Sequence, residues 1–126
     1  MIHSQLVEQE ILDMGREDYI GLYEIIWRLN TIYPDAAIGA KYSAADSALR
    51  SLLSAGHVRL FRGFSADPQS RTEPIANADH DELLRNPVSW YPGSLGHPTV
   101  TYDSTDTGEL RYRELYQLNR NQSNVA

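Results

Sequence analysis

A predicted helix that stops at a glycine and leads at once into a strand is the feature that most constrains the fold. The stretch is "SALRSLLSAGHVRLFRG", residues 47–63. Apolar residues recur at helical spacing before Gly56, and apolar residues and arginines alternate after it. The spacing therefore predicts a helix over residues 43–55, ended by Gly56, and a half-buried strand over residues 57–63.

Three more helices are predicted on the N-terminal side of this stretch. The first covers residues 4–14 and ends with Gly15 as a left-handed cap. The second covers residues 18–30, begins at a capping aspartate and is apolar almost all round, which predicts that Trp27 lies in the core. The third is a short helix over residues 35–41.

Two local contacts are also predicted from spacing along these helices. Glu24 and Arg28 stand four residues apart in the favourable order, which predicts an ion pair on the solvent side of the second helix. Ser43 with Asp46 three residues later is similar to a capping box, which predicts that a new helix begins at Ser43.

Shorter elements are predicted in the second half of the chain. They are a short strand over residues 72–76, a small helix over residues 79–86 that Pro87 ends, and a strand over residues 99–102. A terminal helix then begins with Thr105 or Asp106 as its cap.

The order of these elements resembles a winged helix-turn-helix domain. Two pieces carry the resemblance: residues 47–63, similar to a recognition helix whose final glycine leads into the wing, and "STDTGELRY", residues 104–112. The second piece is similar to the Thr-x-x-Gly that opens a C-terminal helix in many bacterial regulators. Small actinobacterial winged-helix-like proteins also resemble this pattern of elements. The resemblance implies an α+β, mainly α fold with a small β-wing, as one domain over residues 1–120 and a frayed tail over residues 121–126.

If residues 43–55 act as a recognition helix, their outward face and the strand after it contact DNA. The candidate nucleic-acid-binding residues are Ser47, Arg50, Ser51, Arg59, Arg62 and Arg71. Arg50 can pair with a guanine edge, and the serines and other arginines can reach bases or phosphates. Asp46 weakens this hypothesis, because it stands in the first turn and repels phosphate.

The charge balance favours a protein partner over DNA. The formal net charge is −6, and residues 41–75, with five cations against three acids, are a weakly positive stretch between two acidic ones. A DNA-binding protein neutralises several phosphates, whereas an acidic surface suits a basic protein partner. We therefore expect a non-catalytic protein-interaction module on a winged-helix-like scaffold, such as an antitoxin or immunity protein that binds a basic partner, or one that self-associates. A small dimeric DNA-binding transcriptional regulator is the alternative.

Trp90 and Tyr91 are the candidate protein-interface residues. They stand in "SWYPGSLGHP", a segment rich in proline and glycine, rather than in a periodic apolar stripe. Tryptophan and tyrosine are enriched at protein interfaces, which favours a contact loop. The alternative is that Trp90 folds back and closes one end of the core.

No pattern in the sequence predicts catalysis, a cofactor or a metal site. The chain has no cysteine, no Gly-x-Ser-x-Gly and no glycine-rich phosphate loop. The acids and histidine of residues 79–82 are consecutive, so on a helix they point in different directions and do not converge on one ion. No segment is typical of a membrane span or a secretory signal, so we expect a cytoplasmic protein.

Overall fold

The computed structural model describes residues 2–16, 19–64, 73–92 and 98–124. Five α-helices and a four-stranded sheet are found in these ranges. Their bounds are α1 Ser4–Met14, β1 Ile20–Gly21, α2 Leu22–Ile32, α3 Ile38–Ser54, β2 Val58–Phe64, β3 Glu73–Pro74, α4 His80–Arg85, β4 Pro98–Ser104 and α5 Asp106–Asn124. The predicted α+β, mainly helical class is confirmed.

The sheet is antiparallel in the order β1-β4-β2-β3, so β4 is central although it comes last in the chain. Tyr102 of β4 lies opposite Ile20 on one side and Leu60 on the other. Its ring is fully buried, and its hydroxyl donates a 2.8 Å hydrogen bond to the carbonyl of Ile11. One tyrosine therefore joins the centre of the sheet to α1.

Helix α3 is one continuous helix, so the prediction of separate helices over residues 35–41 and 43–55 is wrong. Lys41 is buried and its ammonium group donates to the side-chain oxygen of Asn30 at 3.0 Å. With this partner, the buried face of α3 begins at Lys41, two residues before Ser43. The predicted capping box is also wrong: Ser43 lies inside the helix, and both carboxylate oxygens of Asp46 accept from Nε of Arg50.

The expectation that Trp27 lies in the core is wrong. Helix α2 begins at Leu22, and its buried face holds Leu22, Ile25, Ile26 and Leu29. Trp27 lies on the opposite side with 58% of its surface exposed, where Tyr23 packs against its edge with ring centroids 4.8 Å apart. A helix that is apolar all round does not indicate which of its faces turns inward.

The start of α2 also differs from the prediction. Asp18 lies outside the described residues, and Ile20 belongs to β1 rather than to the helix. Glu24 accepts a 2.8 Å hydrogen bond from the backbone N–H of Gly21, and Arg28 pairs with Glu10 of α1 at 2.6 Å. The predicted pair between Glu24 and Arg28 is therefore replaced by a backbone cap and a link between helices.

Helix α1 has the predicted bounds, but Gly15 does not end it as a left-handed cap. Its φ is −83°, which other residues also adopt. A Cβ at this position would lie 2.8 Å from the ring of Tyr102. Glycine is therefore required here because the centre of the sheet approaches the backbone closely.

The start of α5 confirms Thr105 as the predicted cap. Its hydroxyl accepts from the N–H of Gly108 at 3.2 Å and donates to the carbonyl of Gly56 at 2.7 Å. Gly56 has a positive φ of 76°, so the predicted helix stop is confirmed. A Cβ on Gly108 would overlap the carbonyl oxygen of His57, because the first turn of α5 lies directly on this bend.

Candidate interaction surface

The outward face of α3 carries small polar side chains. Ser47, Ser51 and Ser54 are exposed, as predicted for this helix, while Ala45, Ala48, Leu49 and Leu52 are buried. Serine hydroxyls can donate to phosphates or bases, but they supply no charge. Any electrostatic attraction to DNA from this helix therefore depends on Arg50.

Arg50 is held by two carboxylates. Its Nε donates to both oxygens of Asp46 at 3.0 Å, and its Nη1 donates to Oδ1 of Asp81 in α4 at 2.6 Å. The hydrogen bond to Asp81 is the main reason that the pKa of Arg50 is raised, and the same bond lowers the pKa of Asp81. The one predicted base-reading cation is therefore neutralised within the protein.

Two of the predicted wing arginines, Arg59 and Arg62, lie on β2. Arg59 donates two hydrogen bonds to Asp103 of the neighbouring strand, at 3.1 and 2.8 Å, and these raise its pKa. Arg62 is exposed on β2, opposite Val100. Arg71 lies outside the described residues. The structure thus places one predicted arginine on α3 and two on β2.

Carboxylate pairing is general among the described cations. Besides Arg50 and Arg59, the arginines in ion pairs are Arg16, Arg28, Arg85, Arg111 and Arg113. An arginine already bound to a carboxylate has its charge offset locally and attracts phosphate less. Within the described residues, therefore, most of the positive charge does not project as a basic patch.

Residues 73–92, which lie between β2 and β4 along the chain, contact the side of α3. Trp90 is only 5% exposed, and its indole N–H donates to the carbonyl of Leu84 at 3.0 Å. Its ring meets that of Tyr42 edge-on, with centroids 6.1 Å apart. Trp90 therefore closes one end of the core, as the alternative reading of the sequence predicts, while Tyr91 beside it is exposed.

A groove of about 480 Å³ lies between α3 and this segment. Its apolar lining consists of Tyr42, Leu84, Pro87, Trp90 and Tyr91. Trp90 and Leu84 form a buried floor, whereas Tyr42 and Tyr91 keep exposed ring surface. We call this the aromatic groove. Its volume falls within the range of about 300–1,000 Å³ that is typical of ligand pockets.

Charged side chains also line the aromatic groove. Asp46, Arg50 and Arg85 belong to its lining, and Asp81 joins the two arginines. Nε of Arg85 lies 3.1 Å from Oδ2 of Asp81, in an exposed pair four residues apart on α4. Arg85 therefore stands at the rim of the groove with its guanidinium paired to a carboxylate.

Sequence reasoning finds only part of this surface. Tyr91 is among the predicted interface residues, but Tyr42, Asp81 and Arg85 are not. The pattern "DELLRNPVSWYP" contains a signal, because Leu84 and Trp90 flank a proline that ends a short helix. The sequence does not indicate that Tyr42 lies beside them, because Tyr42 is about forty residues away along the chain and reaches them only through tertiary packing.

No family model, curated protein or solved structure matches this chain. Its function must therefore be argued from the surface itself. In the described parts of the chain, no group of three or more histidine or acidic side chains is arranged to hold a metal ion. None of the described helices has the length and apolar character needed to cross a membrane.

Proposed function

We propose that this protein is a non-catalytic protein-interaction module on a winged-helix-like scaffold, with a basic protein as its partner. The observation that carries the proposal is the state of Arg50, whose guanidinium is bound by the carboxylates of Asp46 and Asp81. Without that cation, the outward face of α3 offers uncharged serines. An acidic protein with a neutral helix face is better suited to a basic protein than to DNA.

The order of the elements supports the winged-helix part of the proposal. Helices α1, α2 and α3 come before β2, and β1 and β2 flank β4 in the sheet. On this proposal residues 73–92, which contact α3 through Asp81 and Trp90, correspond to part of an enlarged wing. Antitoxins and immunity proteins that cover a basic toxin are the kind of protein that such an acidic module fits.

A DNA-binding regulator remains the second candidate function. The same order of elements favours it, and so does exposed Arg62 on β2. On that alternative, α3 enters the major groove and β2 touches the backbone. DNA binding requires Arg50 and Arg62 to contact bases or phosphates, whereas binding of a basic protein does not. Substitution of these two arginines therefore separates the two candidates.

Fluorescence anisotropy of a labelled mixed-sequence duplex tests the proposal. Non-specific DNA-binding proteins bind with a Kd of about 1–100 µM near physiological salt, and more tightly at low salt. We expect no saturable rise in anisotropy in that range, even at low salt, for the wild type or for the double variant Arg50→Ala, Arg62→Ala.

Binding of the duplex would instead support the DNA-binding regulator. Binding that weakens steeply with salt, and that the double variant abolishes, would contradict the proposed function. The control is Arg113→Ala combined with Arg120→Ala, because both arginines are exposed on α5 and their loss removes the same number of charges. Loss of binding in the double variant but not in the control would place the contacts on α3 and β2.

A further inference from the structure

We propose that the aromatic groove is a self-association site, on which the same face of a second copy of this chain packs across a two-fold axis. Self-association is a separate property from the proposed function and does not depend on it. Three observations support it: an apolar face that continues beyond the groove, an exposed ring at the side of the groove, and a balance of charge at its rim.

Exposed apolar surface continues from the groove along α3. Ile38 and Tyr42 stand four residues apart on this helix, so they lie on the same side of it. Ile38 is 56% exposed and Tyr42 is 37% exposed, and Tyr42 lines the groove together with Tyr91. Exposed apolar patches on a protein surface mark sites of association. The groove is therefore part of a wider apolar face rather than an isolated pocket.

This face carries both a groove and a side chain that can fill one. Tyr91 is 54% exposed at the side of the groove, whose floor is formed by buried Trp90 and Leu84. The indole N–H of Trp90 already donates to the carbonyl of Leu84, so the floor requires no polar group from its occupant. Across a two-fold axis the same patch meets itself, so Tyr91 of each copy can enter the groove of the other and pack against its rings.

The charged groups at the groove balance one another. Asp46, Arg50 and Arg85 line it, and Asp81 binds both arginines, so two carboxylates stand against two guanidiniums. A partner of either sign therefore gains little electrostatic attraction at this face. Two copies that each carry a formal net charge of −6 repel one another less at a balanced face than at an acidic one. The charge balance thus favours a second copy as the occupant.

Arg85 supplies a polar link between the two copies. Its side chain is 70% exposed, and its pair with Asp81 is also exposed. Such a pair contributes little to stability, so the guanidinium can turn to a carboxylate of the second copy at little cost. A rim that carries both signs offers the donor and the acceptor at once in a two-fold contact. An acid in place of Arg85 would instead set two negatively charged rims against each other.

Sedimentation velocity of the purified chain tests the proposal. We expect the 14.3 kDa monomer to convert into a dimer as the protein concentration rises from about 5 µM to about 500 µM, a range in which an interface of modest size becomes populated. A two-fold contact closes on itself, so species larger than the dimer should not form.

Tyr91→Ala removes the proposed anchor from both copies. Loss of one aromatic anchor weakens binding about tenfold, so a symmetric dimer that loses two should weaken about a hundredfold. Tyr116→Ala is the matched control, because Tyr116 is 43% exposed on α5 and its described ring contact is with Tyr112. The control should leave the dimer dissociation constant unchanged. Both tyrosines are exposed, so both variants should keep the far-UV circular-dichroism spectrum of the wild type.

Arg85→Glu tests the balance of charge. It leaves three carboxylates against one guanidinium at each rim, so we expect the dimer to weaken at least about tenfold at low salt and to recover in part at high salt. The matched control is Arg113→Glu, because Arg113 is 71% exposed on α5 and its replacement changes the net charge by the same amount. At equal salt, this control should weaken the dimer much less than Arg85→Glu does.

The opposite results would overturn the proposal. A monomer at every concentration shows that the groove does not take a second copy. A dimer that Tyr91→Ala and Arg85→Glu weaken no more than their controls places the contact on another face. Growth beyond the dimer shows a contact that does not close on itself. The DNA titration tests the proposed function separately, so either one can fail while the other stands.

Discussion

Replacement of Trp90 by alanine is expected to lower the free energy of unfolding by about 3–5 kcal/mol, the usual cost of truncating a buried aromatic side chain. Trp90 is 5% exposed, packs against Tyr42 and satisfies the carbonyl of Leu84. Its loss leaves a cavity and an unpaired carbonyl at one end of the core. Urea denaturation followed by far-UV circular dichroism measures the effect.

Trp27→Ala is the control for this prediction. Trp27 is exposed and its described ring contact is with Tyr23, so we expect a loss of about 1 kcal/mol or less. The two substitutions delete the same side chain, which makes their difference a direct measure of burial. A larger loss for Trp27→Ala than for Trp90→Ala would contradict the packing described here.

Gly108→Ala is expected to cost about 2–3 kcal/mol, in the range of overpacked sites that the backbone cannot relieve. The added methyl group would overlap the carbonyl oxygen of His57, which belongs to the backbone and not to a flexible side chain. The first turn of α5 must then move away from Gly56, which weakens the hydrogen bonds that the hydroxyls of Thr105 and Thr107 donate to the carbonyl of Gly56. Thermal and urea unfolding of the variant measure the loss.

Gly39→Ala is the matched control, because it makes the same substitution inside a helix. A Cβ at Gly39 has open space around it, with no atom within 4 Å. Alanine is the better helix former, so stability should stay unchanged or rise by up to about 1 kcal/mol. Equal effects for the two glycines would show that α5 does not lie against the bend at Gly56.

Local signals account for the elements that the sequence predicts well. The bounds of α1, the stop at Gly56, the alternation in β2 and the Thr105 cap are all encoded within a few neighbouring residues. A positive φ at a glycine and a hydroxyl that accepts from a helix N–H need no distant partner. These features are therefore readable from one sequence.

Distant contacts account for the errors. Lys41 lies on the buried side of α3, where Asn30 of α2 accepts from its ammonium group, so a lysine that a local pattern would place in solvent is buried instead. Trp27 is exposed because α2 packs inward through Leu22, Ile25, Ile26 and Leu29, and the uniformly apolar sequence of the helix does not indicate that choice of face. In both cases the deciding partner lies on another element, and no local pattern indicates it.

The candidate site shows the same limit. The sequence singles out Arg50 for its outward position on a helix, but Asp81, which binds it, comes thirty-one residues later. Its neutralisation depends on how the segment between β2 and β4 packs on α3. The sequence therefore indicates which helix is exposed, whereas the structure indicates that its charge is already bound.

Chemical-shift mapping of the ¹⁵N-labelled protein tests the central claim most directly, because it reports where each probe binds. We predict that a DNA duplex, even at low salt, leaves the amides of Ser47, Ser51 and Ser54 unshifted, because Arg50 beside them is already bound by Asp46 and Asp81. Shifts at those three serines and at Arg62 on addition of the duplex would contradict the account and show that α3 binds DNA.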